Sequence, residues 1–289
     1  MKESSTPLVS VVIPCYNDWQ YIHEAVDSIY NQDYKNVEII IVDDGSDKKT
    51  KDVLNELLNE NVQIFFQENS GTSAARNKGI EKAKGIYVLT LDADDYFDSS
   101  FISKGVNILE EKNKVGLVSC WLRIFKNKII VGKNHVGGGD ANSMIFTNGA
   151  IGNALFRKQC WIDVKGYDEL MRKGFEDWDF NISIAKAGWG IFIIEEELFN
   201  YRDKINSRNK IANKSFKKEL LKYIMIKHKD LYIINYEQTI DSFLDEIENL
   251  KRRGIVLKES KEYKIGRFLL APLRKVKKIF SFRSKRKML

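Results

Sequence analysis

The chain has 289 residues, 43% hydrophobic and 30% charged, with only three prolines. That suffices for one large domain with an appendage, or two modest domains, and excludes long Pro-rich linkers. The net charge of +7 is unevenly placed: residues 251–289 hold 15 Lys or Arg against two acids, leaving the other 250 residues at −6. A mildly acidic body argues against a nucleic-acid-binding core, and the basic tail suits an anionic partner.

The opening segment, MKESSTPLVSVVIP, reads as a strand rather than a signal peptide. The β-branched run Leu8–Pro14 is that strand. Asp18–Gln32 follows at helical spacing (Trp19, Ile22, Val26, Ile29), with Asp18 as N-cap. Val37–Val42 is almost wholly apolar, as expected of a strand buried on both faces. Residues 48–59 read as helix, Val62–Phe66 as strand, Ser73–Lys82 as helix and Ile86–Leu91 as strand. This alternation predicts an α/β fold, a mostly parallel sheet with flanking helices. Beyond residue 100 the pattern loosens. Gly137-Gly138-Gly139 marks a loop, residues 150–200 mix short strands with a helix, and residues from 214 on read as helix-rich and charged. The cysteines (Cys15, Cys120, Cys160) are odd in number and lack metal spacing, which suits a reducing compartment. No run of 18 apolar residues occurs, so a cytoplasmic location is expected.

In open parallel sheets, ligands bind beyond the carboxyl ends of the strands. The polar clusters fall there: Tyr16-Asn17, Asp43-Asp44-Gly45-Ser46, and Asp92-Ala93-Asp94-Asp95. Crowded carboxylates repel one another unless a cation is present, and oxygen ligands beside phosphates suit Mg²⁺ or Mn²⁺. Tyr16, after Pro14, could stack on a base or simply cover a turn. Asp44 could accept hydrogen bonds from base or ribose, or close a turn with Gly45. Arg76, in GTSAARN, could contact base or phosphate, or be a solvated helix charge.

Together and in this order, PxYN, DDGS, GxxxARN and DxD resemble inverting glycosyltransferase family 2, whose nucleotide-binding domain has the GT-A fold; the resemblance runs from about Leu8 to Ser207. It implies that Pro14, Tyr16, Asn17, Asp44 and Arg76 hold the nucleotide of a nucleotide-sugar, in particular a UDP-sugar. It also implies that Asp92 lies near the ribose and Asp94 binds Mn²⁺ or Mg²⁺. Phe175-Glu176-Asp177-Trp178-Asp179 resembles the family's ED motif at the acceptor site. An acceptor hydroxyl needs a base during attack; the resemblance makes Asp177 that base, with Glu176 orienting it or contacting the acceptor. The bland alternative is an acidic helix start. Tyr201-Arg202 followed by Ser207 resembles a segment in which many members carry His where this chain has Lys204. Lys204 could neutralise diphosphate charge but is a poor metal ligand.

The expected organisation is a GT-A domain over 1–213, with its nucleotide half at about 1–98 and its acceptor half at about 99–213, then a helical, basic region over 214–289. The expected acceptor is a glycan or lipid-linked hydroxyl in surface polysaccharide synthesis. QxxRW is absent, which favours single additions over long homopolymers. A nucleotidyltransferase is disfavoured because Cys15-Tyr16-Asn17-Asp18 lacks a Gly-rich phosphate loop. A non-catalytic nucleotide-sugar-binding protein is disfavoured by the intact Asp92, Asp94 and Asp177. Tyr263–Phe282 interleaves apolar and basic residues around Pro272. An amphipathic helix there, within residues 263–289, could lie on the inner face of an anionic membrane or pack on the domain.

Overall fold

The computed structural model describes residues 6–205 and 207–270. Two compact units are separated at Ile233/Ile234. The boundary falls later than the predicted 213/214, because Leu220, Ile224 and Leu231 are buried in a core cluster with Met144 and Ile182.

In the first unit the chain runs β1 (Val9–Cys15), α1 (Ile22–Tyr30), β2 (Val37–Asp44), α2 (Lys48–Glu56), β3 (Val62–Gln67), α3 (Thr72–Lys82) and β4 (Tyr87–Thr90). It continues through β5 (Tyr96–Phe97), α4 (Phe101–Glu111), β6 (Val115–Lys126), β7 (Ile129–Asn134), α5 (Ala141–Met144) and β8 (Leu155–Arg157). α6 (Lys158–Asp163), α7 (Glu176–Lys186), β9 (Gly190–Arg202), α8 (Arg208–Ile211), α9 (Lys217–Lys227) and α10 (Lys229–Ile234) follow, with a π-helical turn at Ala212–Phe216.

One sheet carries the order β3-β2-β1-β4-β8-β6-β9-β5, with β7 paired to β6. Its first four strands are parallel, as the alternation predicts, and β8 then joins β4 antiparallel. β6 and β9 pair in parallel through several register shifts. β1 and β2 are buried on both faces, as their Val/Ile-rich runs require, and the two polar residues within those runs pair with each other, Ser10 Oγ donating to Glu38 Oε1 at 2.6 Å.

On one face, Ile22, Val26 and Ile29 of α1 and Phe101, Ile102 and Leu109 of α4 pack on Val11, Ile13, Ile39 and Ile41. On the other, Ala75 and Ile80 of α3 and Phe180 and Ile184 of α7 pack on Val12, Ile40 and Val42. Gly79 lets α3 approach the sheet closely: a Cβ there would stand 2.4 Å from Val12 Cγ1. Such proximity fixes where the start of α3, and the loop before it, meet the strand ends.

The second unit contains α11 (Tyr236–Glu259), and residues 261–270 are also helical. The predicted amphipathic segment over 263–289 lies beyond residue 270, outside the described residues, for most of its length.

Candidate nucleotide-sugar site

A cavity of about 280 Å³ opens at the carboxyl ends of β1, β2 and β4. Of the site residues expected from the sequence, Pro14, Tyr16, Asp44, Asp92, Asp94 and Lys204 line it. Asn17, Arg76, Glu176 and Asp177 do not. Each of those four is placed differently, for a visible reason.

Asn17 has a left-handed backbone, φ 58°. Its N–H donates to Ser46 Oγ at 3.0 Å, and its Oδ1 accepts from the Asp47 N–H at 2.8 Å. It therefore ties the loop after β1 to the loop after β2. Asp44 lines the cavity but is already engaged: its carboxylate accepts from Gln67 Nε2 at 2.7 Å and from the N–H groups of Ser70 and Gly71 at 2.8 Å. Those bonds hold the turn into α3 against the strand ends. Tyr16, by contrast, is 51% exposed, leaving a ring face free to stack.

Arg76 is neither a solvated helix charge nor a lining residue. It is 1% exposed. Its guanidinium donates to Asp92 Oδ1 at 2.7 Å and to Glu176 Oε1 at 3.1 Å. Both anions raise its pKa against the opposing effect of burial. For Asp92, burial works upward, but Arg76 and Arg208 hold its carboxyl below the usual range. Asn153 completes that shell, its Oδ1 accepting from the Asp92 N–H at 2.7 Å. Glu176 is 1% exposed and also takes the guanidinium of Arg208, a cavity-lining residue. Arg76 thus links the DxD loop to the start of α7, and Arg208 links α7 back to the cavity.

Asp94 lies between opposing influences. Burial and the neighbouring Asp92 and Asp18 raise its pKa, against the Lys204 ammonium, and on balance it is raised. Lys204 Nζ stands 2.6 Å from Asp94 Oδ2 and 2.9 Å from Asp18 Oδ1. Asp18 is therefore not the helix cap its position suggests: α1 begins at Ile22, and the Asp18 side chain turns to Lys204. Asp95 is 1% exposed, and its Oδ2 has no hydrogen-bond partner. Burial beside Asp94 and Asp92 raises its pKa well above the carboxylate range. Arg202 braces this loop from behind, donating to the Asp94 carbonyl at 2.8 Å while its guanidinium packs over the rings of Tyr21 and Phe125.

Among the described residues, no three His, Cys, Asp or Glu side chains stand together as a metal cage. The cavity nonetheless gathers Asp94 and Asp18 around a single cation, at present the ammonium, and leaves excess carboxylate charge. Mg²⁺ and Mn²⁺ are commonly held by one or two carboxylates completed by substrate phosphates. The donor set fits such a cation.

Asp177 sits just past a sharp turn. Gly174 has φ 123° and Phe175 has φ 64°, left-handed for a bulky residue and hence strained. The turn delivers Glu176 and Asp177 at the first turn of α7. Burial, then the adjacent Glu176 charge, raises the Asp177 carboxyl from 3.8 to about 6. Asn148 Nδ2 donates to its Oδ2 at 3.1 Å, and Asn181 Nδ2 donates in turn to Asn148 Oδ1 at 2.9 Å. A Cβ at Gly152 would come within 3.0 Å of the Asp177 Cβ. Asp18, Arg208, Asn148 and Asn153 are the members that sequence reading misses. Each is a single polar residue outside the recognised motifs; Arg208 opens α8 and the others lie outside the helices and strands.

A cavity at the carboxyl ends of the strands of an α/β sheet, lined by a ring and several carboxylates, lies where open sheets of this class bind their ligands. The model of Glycosyl transferase family 2 matches residues 10–159, just over half of the chain. The chain belongs to that family. The glycosyltransferase GlyG of Streptococcus pneumoniae is 30% identical over 196 residues, covering 67% of this chain and 58% of GlyG. TuaG of Bacillus subtilis, named for teichuronic acid biosynthesis, is 40% identical over 110 residues, covering 37% of this chain and 44% of TuaG. The chain thus spans about half the length of these relatives. The crystal structure of S. aureus TarS 1-349 aligns with a TM-score of 0.63 at 20% identity, covering 89% of this chain and 76% of that one. The fold is accordingly GT-A-like, with a helical C-terminal region. TarS has also been crystallised in complex with UDP-GlcNAc.

Proposed function

We propose that this chain is an inverting glycosyltransferase that moves one sugar from a UDP-sugar to a hydroxyl of a glycan or lipid-linked acceptor in surface polysaccharide synthesis. The observation that carries the reading is the cavity at the ends of β1, β2 and β4, where Tyr16, Asp44, Asp92, Asp94 and Lys204 converge. The exposed Tyr16 ring stacks on the base. Asp44 holds the turn against which the base rests, and Asp92, fixed by Arg76, meets the ribose. The Lys204 ammonium and the Arg208 guanidinium face the diphosphate and offset the charge that develops on it.

Asp94, with Asp18 opposite, would hold Mn²⁺ or Mg²⁺, which when bound supplies further positive charge to the departing diphosphate. Asp177 accepts the proton of the acceptor hydroxyl while that oxygen forms its bond to the anomeric carbon. The bond from that carbon to the diphosphate oxygen breaks on the opposite side, so the configuration inverts and UDP leaves. A carboxyl raised to about 6 is ionised at neutral pH and basic enough to take the proton. Asn148 holds it in orientation, and Glu176 anchors the turn through Arg76 and Arg208. The basic residues from 263 onward hold the enzyme at an anionic membrane surface.

Thermal-shift screening against UDP-, GDP-, CMP- and dTDP-sugars, with and without Mn²⁺, tests the donor and the cation together. Stabilisation by the UDP-sugars, increased by Mn²⁺, is the expected result. Indifference to every nucleotide would overturn the reading.

A further inference from the structure

We propose that α11 is an association surface for a second copy of this chain, on which two α11 helices pair antiparallel. The inference is independent of the catalytic reading. It begins with a seam. Tyr236, Ile240, Phe243, Ile247, Leu250 and Leu257 follow spacings of three and four, the 3.5-residue repeat of a coiled-coil stripe. All six are exposed, from 39% at Ile240 to 64% at Tyr236. Gly254 holds the remaining seam position between Leu250 and Leu257. A row of large apolar side chains on one face of a 24-residue helix needs a partner.

Charge and shape identify the partner. The amino-terminal half of α11 carries Glu237, Asp241, Asp245, Glu246 and Glu248 and no Lys or Arg. The carboxyl-terminal half carries Lys251, Arg252, Arg253 and Lys258 against Glu259 alone. Two copies laid antiparallel set each acidic half on a basic half. The seam then fixes the register. Ile247 faces Leu250 of the second copy, Ile240 faces its Leu257, and Phe243 faces its Gly254, the one seam position with room for a ring. In that register Glu246 flanks Arg253 of the second copy and Glu237 flanks its Lys258, each twice by symmetry. Within α11 the ion pair among the described residues is Glu248–Arg252, which leaves Glu246 and Arg253 available.

A parallel pair fares worse. It would stack glycine on glycine, leaving a gap, and bring Arg253 beside Lys258 of the second copy. An anionic membrane is a poorer occupant than a second copy, because the acidic half would be repelled by it.

Sedimentation velocity of the full chain across the micromolar range tests the inference. A concentration-dependent species of twice the monomer mass is expected. Ile247→Asp should leave monomer only, with nucleotide-induced thermal stabilisation unchanged as the check on folding. Glu246→Arg and Arg253→Glu should each weaken association by on the order of tenfold, since two symmetry-related pairs turn repulsive. The double variant should recover it, and an equimolar mixture of the two single variants should form a heterodimer. A chain that stays monomeric throughout overturns the proposal. So does a dimer indifferent to Ile247→Asp, and a double variant that fails to recover overturns the antiparallel register. Binding to phosphatidylcholine vesicles, lost in Ile247→Asp and without self-association, would overturn it in favour of a lipid surface.

Discussion

Asp177→Asn removes one charge and leaves the shape of the side chain intact. The carboxyl is raised from 3.8 to about 6 by burial and by Glu176 beside it, so the folded state holds this proton more tightly than the unfolded chain does. Stability therefore falls as pH rises from about 4 to about 6, and the deficit persists above that. At about 1.4 kcal/mol for each tenfold change in proton affinity, the ionised carboxylate costs the fold up to about 3 kcal/mol at neutral pH. Asparagine carries no such cost, and its carbonyl oxygen can still accept from Asn148. The variant should therefore melt several degrees above the wild type at pH 8, with the gap closing towards pH 4. Its turnover should fall by roughly a hundredfold or more with donor binding kept, and wild-type turnover should rise through a limb near pH 6. Thermal denaturation at the two pH values, with initial rates on a UDP-sugar, measures both. A variant less stable at pH 8, or one that keeps its turnover, refutes the reasoning.

On the proposed reading, Asp94→Asn, or excess EDTA on the wild type, should abolish transfer and weaken nucleotide binding in an equilibrium titration, because the carboxylate that would hold a cation beside the diphosphate, or that cation itself, is removed. Arg76→Met should lower unfolding free energy by about 3 kcal/mol in denaturant titration, since Asp92 loses its paired guanidinium and the buried Glu176 keeps only Arg208. Truncation before Tyr263 should leave the melting temperature and activity on a soluble acceptor unchanged but end co-sedimentation with anionic liposomes. The full chain's binding to them should weaken with salt, the exposed charges being screened over about 8 Å at physiological ionic strength.

The parallel half of the sheet is legible in the sequence because its strands are buried on both faces. Val37–Val42 holds a single polar residue, Glu38, too few to mark a face, and the DDGS turn closes it. β6 and β9 are harder to read, since their bulges break the two-residue alternation around Cys120 and Trp121. The same limit applies to the site. Motifs contiguous in the chain, such as DxD, announce themselves. Arg208 reaches Glu176 across 32 residues and Lys204 reaches Asp18 across 186, so neither partnership has a sequence signature. Arg76 is the instructive case, since its 1% exposure rules out a solvated helix charge. Its position in GTSAARN is read correctly, but its burial depends on α7 arriving from far along the chain.

The Arg76 bridge also bears on how such enzymes can be recombined. The guanidinium lies on α3, within the first hundred residues, and one of its two anions, Glu176, opens α7 far along the chain. The two segments are thus locked together by a buried guanidinium shared between two carboxylates. A chimera joined near residue 98, grafting a relative's acceptor half onto these first strands to redirect acceptor choice, inherits that lock. An incoming segment without a carboxylate where Glu176 stands would leave Arg76 with Asp92 alone and lose the bridge. The loop around Asn148 can vary in such a graft, while the Arg76–Glu176 pair must travel unchanged.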